Sequence, residues 1–171
     1  MASDTRLSVA DYQAVPKHPV VVVLDSVRSL NNVGSVFRTC DAFRAERLVL
    51  CGVTGTPPDR EIEKTALGAT QSVKWEHAPS TVEALKALKA KGYYIAAIEQ
   101  APGSILLADF NYQQQPIALV FGNEVYGVEA EVLQQCDVII EIPQHGTKQS
   151  LNVSVCAGIV LWEVCGKSKI G

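Results

Sequence analysis

Three stretches of the chain combine amides, a carboxylate, a guanidinium and glycines at spacings that could do chemistry. The first, Asn31-Asn32-Val33-Gly34-Ser35-Val36-Phe37-Arg38, sets a pair of asparagines before a helical pattern and an arginine further along it. Backbone N–H groups at a helix start and a guanidinium would converge on one space, which makes an anion site. An Asn cap followed by a surface arginine accounts for the same residues. The second stretch, Leu119 to Gly127, ends an apolar run in Gly122 and Gly127, which flank Glu124. Open α/β sheets place ligands at such a strand end, although a tight turn with a solvated carboxylate fits as well. The third runs from Ile142-Pro143 through His145, Gly146 and Lys148 into Ser150-Leu151-Asn152-Val153-Ser154. Ser150 there could be a helix cap. Asn152, a poor helix former at the head of an apolar helix, calls for hydrogen-bond partners.

These stretches need elements to position them. Val20 to Leu24 is a short β-branched run of the kind buried on both faces of a parallel sheet. Leu48–Cys51, Tyr93–Ile98, Ile117–Phe121 and Val138–Ile142 read the same way, and Lys74–His77 adds a weaker strand. Between them lie helical patterns. One opens at Ser80 with a capping box to Glu83 and closes at Gly92. Others are expected from about Asn32 to Ala42, from Glu129 to Gln135, and from Pro57-Pro58 through Ile62 to Ala66. The last, roughly Leu151 to Val164, is apolar almost all round, so it must be covered on several sides. A sheet on one side and a second copy of the chain on the other would cover it, which points to a homodimer. The order of elements is that of an α/β domain with a parallel sheet and helices on both faces.

Composition narrows the classes. The chain has 171 residues, 47% hydrophobic and 19% charged, with net charge −3, enough for one core. No run reaches the ~18 to 20 apolar residues of a membrane helix, and Met1 to Lys17 lacks the apolar centre of a secretory signal. A cytoplasmic protein is expected. Five cysteines, an odd number without a C-x-x-C pair, fit reduced thiols and imply no metal. Cys40 and Cys156 sit in apolar helical stripes and read as core residues, and His145 reads as a surface residue. The pI near 5.6 speaks against a nucleic-acid partner, except that only the local field matters where a ligand docks.

Familiar nucleotide motifs fail. After the first strand comes Asp-Ser-Val-Arg-Ser-Leu-Asn-Asn-Val-Gly, with one glycine where a dinucleotide fold needs three. Gly122 and Gly127 have P-loop spacing, but Val128 and Glu129 stand where Lys and Ser or Thr must be. There is no G-x-S-x-G elbow.

Taken together, the three polar stretches resemble the motifs of the SpoU, or TrmH-like, branch of the SPOUT superfamily of S-adenosylmethionine-dependent RNA 2′-O-ribose methyltransferases. Asn32, Gly34 and Arg38 match N-x-G-x-x-x-R, Leu119–Gly127 carries Glu124 at the acidic position, and Ile142-Pro143 leads to Ser150-Leu151-Asn152-Val153-Ser154. With Lys64–Ala69 between the first two, the resemblance covers about Val20 to Glu163. It implies a deep trefoil knot in the C-terminal part, a homodimer, and a domain over residues 20–171 behind an N-terminal extension, residues 1–19. The knot that binds cofactor would lie in about residues 117–165.

The resemblance also implies roles. Gly122, Ile142 and Leu151 match backbone positions that hold S-adenosylmethionine, with the loop after Ile98 closing the third side. Arg38, Asn32, Glu124, Ser150 and Asn152 match the catalytic surroundings. Arg38 would orient RNA, since a guanidinium with pKa above ~12 is a poor base. Asn32 and Glu124 would hold Arg38, and Asn152 or Ser150 would complete the network. The implied partner is RNA, with tRNA favoured by the bare core and rRNA as the alternative, no metal and no membrane. Contact would rest on Arg28, Arg38, Arg44 and Lys148 around the site, with Arg6, Lys17, Lys167 and Lys169 the few basic residues near the ends. A non-catalytic RNA-binding dimer of the same fold is the rival reading.

Overall fold

A computed structural model describes residues 6–168 and residue 170. Seven strands, all paired in parallel, form one sheet in the order β3-β2-β1-β6-β4-β7-β5. They are β1 (His18–Asp25), β2 (Ala45–Cys51), β3 (Trp75–Ala78), β4 (Tyr94–Ile98), β5 (Ile105–Leu106), β6 (Ile117–Phe121) and β7 (Val138–Glu141). The helices are α1 (Val9–Ala14), α2 (Leu30–Ala42), α3 (Arg60–Ala66), α4 (Ala69–Ser72), α5 (Thr81–Ala90), α6 (Ala130–Leu133) and α7 (Val153–Leu161).

β1 explains the layering. Side chains alternate across a strand, so Val20, Val22 and Leu24 pack with Val33, Val36 and Phe37 of α2 and Ala157, Val160 and Leu161 of α7. Val21 and Val23 face the other way, into a second core with Leu85 and Leu88 of α5 and Val132 of α6. A central strand buried on both faces has no polar alternation to show, which is why β1 reads as a continuous apolar run.

Several expected boundaries move, each for a local reason. α2 begins at Leu30, because the Ser29 hydroxyl accepts from the Asn32 backbone N–H at 3.2 Å, so the cap is serine and Asn32 lies in the first turn. α3 begins after Pro57-Pro58, at Arg60, with Asp59 accepting from Glu61 and Ile62 N–H groups. α6 is a single turn, shorter than Glu129 to Gln135. α5 starts as expected, with Ser80 accepting from the Glu83 N–H at 3.2 Å. α7 starts at Val153 and passes into a π turn, Trp162–Gly166, where Trp162 meets Phe43 edge-on at 6.3 Å between centroids.

Before β1, residues 8–15 form a short capped helix. Ser8 caps α1, and Tyr12 is buried with its hydroxyl 3.5 Å from the Cys40 carbonyl. Near the other end, Lys167 pairs with Glu163 at 2.7 Å, and Lys169 lies outside the described residues. All five cysteines are free thiols. Among the described residues no helix is long and apolar enough to cross a membrane, and no group of His, Cys, Asp and Glu is arranged to hold a metal.

Candidate active site

The carboxyl ends of β4, β6 and β7 and the first turn of α2 open onto a cleft of about 290 Å³. Three loops and the start of α7 wall it. Seven of the eight residues singled out from the sequence line it: Asn32, Glu124, Ser150, Asn152, Gly122, Ile142 and Leu151. Arg38 does not.

The loop after β6 is built to stay closed on itself. Asn123 and Gly127 exchange backbone hydrogen bonds of 2.9 Å in both directions. The Asn123 side-chain oxygen accepts from the Val125 and Tyr126 N–H groups at 2.8 and 3.0 Å, and its amide donates to the Ser26 carbonyl at 2.7 Å. Gly122 lies so close to the return of the loop that a Cβ there would sit 2.2 Å from the Gly127 carbonyl carbon. Gly127 has φ +68° and backs onto Glu99, whose carboxylate accepts from the Val128 and Gln100 N–H groups at 2.9 and 2.8 Å. Glu99 and Gln100 thus form the cleft wall beyond Ile98.

Glu124 faces back toward β1. Its two oxygens accept from the Arg28 and Ser29 backbone N–H groups at 3.1 and 3.0 Å, and the Asn32 amide donates to it as well. Partial burial raises its pKa, but the hydrogen bonds from Ser29, Arg28 and Asn32 outweigh that and hold it below the usual carboxylate value. It is therefore a carboxylate at neutral pH.

Asn152 is the cap of α7, one position before the helix. Its oxygen accepts from the Ser154 N–H at 2.9 Å and from the Ser154 hydroxyl at 2.6 Å, while its amide donates to Asn32 Oδ1 at 3.1 Å. The polar partners it needs are found at the cleft surface, since the residue is exposed. Ser150 is exposed and caps nothing.

The structure corrects three expectations about this region. Glu124 and Asn32 do not hold Arg38: their bonds go to the β1–α2 turn and to Asn152, and Arg38 projects exposed from α2. Arg44 is not near the cleft, because its carbonyl bonds the His18 N–H at the amino end of β1. Cys156 is half-buried and lines the cleft, with burial pushing its thiol up to about 11, whereas Cys40 is fully buried as expected. Gln144 and Gln149 also line the cleft and carry no signal in the sequence beyond a polar loop.

A parallel α/β sheet with a cleft at the strand ends, floored by a glycine-pinned loop and roofed by a helix start, is an open α/β protein with its cleft where such folds place ligands. The model of the SpoU rRNA Methylase family matches residues 19–162, and the chain belongs to that family. It is 35% identical over 148 residues to the tRNA (guanosine(18)-2′-O)-methyltransferase of Aquifex aeolicus, covering 84% of this chain and 67% of that one. The solved AdoMet-bound rRNA methyltransferase of Sinorhizobium meliloti superposes with a TM-score of 0.80 at 29% identity, over 92% of this chain and 60% of that one. A second solved structure, described as giving structural insights into the 2-OH methylation of C/U34 on tRNA, has a TM-score of 0.75 at 26% identity, over 84% of this chain and 92% of that one. The chain spans between 10% and 67% of the length of the first curated relatives it matches.

Proposed function

We propose that this chain transfers a methyl group from S-adenosylmethionine to a ribose 2′-hydroxyl of RNA, with tRNA as the substrate. The observation that carries the reading is the convergence of three distant stretches on one cleft, through the Asn152, Asn32 and Glu124 network. The cleft suits the cofactor. Ile98, Phe121, Ile142 and Leu151 supply apolar walls for an adenine, and Gly122 lets the loop after β6 close tightly beneath them. Hydrogen bonds from backbone groups are enough to read the base edge. When bound, S-adenosylmethionine supplies a methyl carbon activated by a sulfonium.

The chain's own residues then bind and orient. Glu124 fixes the β1–α2 turn, Asn32 ties it to the head of α7, and Asn152 or Ser150 meets the 2′-hydroxyl as a hydrogen-bond partner. Arg38, on the exposed side of α2, grips the RNA phosphate and 2′-oxygen with its planar fork. In-line attack then depends mainly on placement.

The same reading includes a homodimer, a C-terminal knot over about residues 117–165, an N-terminal extension over residues 1–19, and action in the cytoplasm. The dimer is supported by Val155, Ile159 and Trp162, which leave one side of α7 and its continuation exposed. The knot is supported by the sheet order, since β6 returns from the edge strand β5 to lie beside β1 before β7 crosses outward again. tRNA is favoured because a solved chain that this one covers to 92% is described in terms of methylation on tRNA.

The test is transfer of labelled methyl from S-adenosylmethionine to unmodified tRNA, followed by nucleoside digestion, with wild type beside Arg38→Ala. A labelled 2′-O-methylnucleoside is expected with wild type and not with the variant. Cofactor binding without transfer to tRNA, but with transfer to rRNA, would replace the substrate. Failure to bind cofactor would favour a non-catalytic RNA-binding dimer.

A further inference from the structure

At the end of the sheet opposite the cleft lies a larger pocket of about 430 Å³, lined by Tyr12, Lys17, Arg47, Lys74, Lys91 and Tyr93 among others. Its position follows from the register. Lys17 immediately precedes β1, Arg47 is near the start of β2, Lys74 immediately precedes β3, and Tyr93 immediately precedes β4. Four cations and one carboxylate, Glu46, line it, in a chain whose net charge is −3. That inversion of sign is local and needs a reason.

The acids nearby are already engaged. Glu46 accepts from the Tyr93 hydroxyl at 2.7 Å, and Glu76 takes Arg47 Nη1 at 2.9 Å. Arg47 Nε is nevertheless buried without a hydrogen-bond partner, one of the rare unmet donors that a native structure has to account for. Lys17 is held in place by the Tyr12 and Val15 carbonyls and lies 4.6 Å above the Tyr12 ring. Burial, then Arg44 and Lys74, lower its pKa, so cations are crowded here against their own repulsion. Lys74 and Lys91 are exposed and take no part in an ion pair among the described residues. Fixed and free cations around a cavity with an unmet donor make a surface suited to an anion.

We propose that this pocket is a second RNA contact, which holds backbone phosphate of the substrate at the amino ends of β1, β2 and β4. The inference rests on the RNA reading of the cleft and supplies what that reading lacks, a basic surface on an acidic chain. Strands of about five residues separate the two sites by roughly 17 Å, a distance that a folded RNA easily spans. Such contacts position the polymer and carry no sequence information.

The experiment measures binding of unmodified tRNA to the full chain by fluorescence anisotropy over a series of salt concentrations. Lys74→Glu/Lys91→Glu is expected to weaken binding about tenfold and to lower the slope of log K against log salt by about 1 to 2, with S-adenosylmethionine affinity unchanged. Arg60→Glu/Lys86→Glu changes the charge equally elsewhere and is expected to shift affinity less than about twofold. Equal affinity and slope for wild type and Lys74→Glu/Lys91→Glu would overturn this site and leave the proposed reaction standing. Absence of tRNA binding by wild type would overturn both. Protection of wild type by inorganic pyrophosphate, lost in the variant while tRNA binding is unaffected, would assign the pocket to a small free anion and overturn the RNA contact.

Discussion

The Asn152 side chain donates to Asn32 Oδ1 at 3.1 Å, joining positions 120 residues apart in the chain. One amide does two jobs. Its oxygen caps α7, and its nitrogen fastens the head of that helix to the first turn of α2. Asn32 passes the link on to Glu124, so each of the three polar stretches contributes one member.

Substitution can separate the two jobs. Asn152→Ala removes cap and link, and is expected to cost ~1 kcal/mol of stability from the cap together with methyl transfer. Asn152→Asp keeps an oxygen for Ser154 but loses the donor to Asn32. Thermal unfolding should find Asn152→Asp near wild type and Asn152→Ala lower, while both lose most turnover. Full turnover in Asn152→Asp would remove the link from the mechanism.

Glu124 gives a pH signature. Its folded pKa lies below its unfolded value, so its contribution to stability is present above the ordinary carboxylate pKa of about 4.3 and is lost as pH falls through the lower folded value. Glu124→Gln cannot accept from Arg28 and Ser29 with a charge. Chemical denaturation should show wild type more stable than Glu124→Gln from neutral pH down to about pH 5. The two should converge only once pH has fallen below the lowered folded value.

Gly34 is required by packing. A Cβ there would lie 2.0 Å from Thr65 Oγ1 and 2.2 Å from the Ile62 carbonyl oxygen, so α2 and α3 touch at that point. Gly34→Ala is expected to lower stability by ~1 to 3 kcal/mol through overpacking. Denaturant midpoints would measure it, and an unchanged midpoint would mean that α3 moves aside freely.

At Gly122 the same test reads ligand binding. Gly122→Ala would press on the Gly127 and Val128 backbone and shift the cleft floor. Calorimetry should show S-adenosylmethionine affinity reduced at least tenfold with the fold intact by circular dichroism. Wild-type affinity would exclude the loop from the cofactor site.

The exposed side of α7 predicts an oligomer. Val155→Asp/Ile159→Asp should convert a dimer to a monomer in sedimentation velocity, and a wild-type monomer at micromolar concentration would end the dimer reading.

How far the sequence disclosed this architecture depended on element size. β1, β2, β4, β6 and β7 carry dense β-branched or aliphatic runs and were legible to within a few residues. α1 was not, because six residues with Tyr12 alone buried hold less than two turns of periodicity. β5, two exposed residues, has no apolar signature. Within the site, the residue types foretold the cleft, but partners did not follow from types. Glu124 was expected to meet a guanidinium and meets backbone N–H groups, since nothing in the sequence reports that the turn after β1 presents them. Glu99, part of the cleft wall, was not foreseen for the same reason: its bond to Val128 exists only once β4 and β6 are paired.

α7 carries the cap at the head of the cleft and, along its flank, the exposed apolar residues Val155 and Ile159. Under the proposed dimer, ordering its first turn and pairing its side would draw on one helix, so thermodynamic reciprocity would apply: whatever cofactor does to self-association, self-association does to cofactor affinity by the same factor. Half-saturation would then drift with protein concentration, and a dilute assay would describe a different species from a concentrated one.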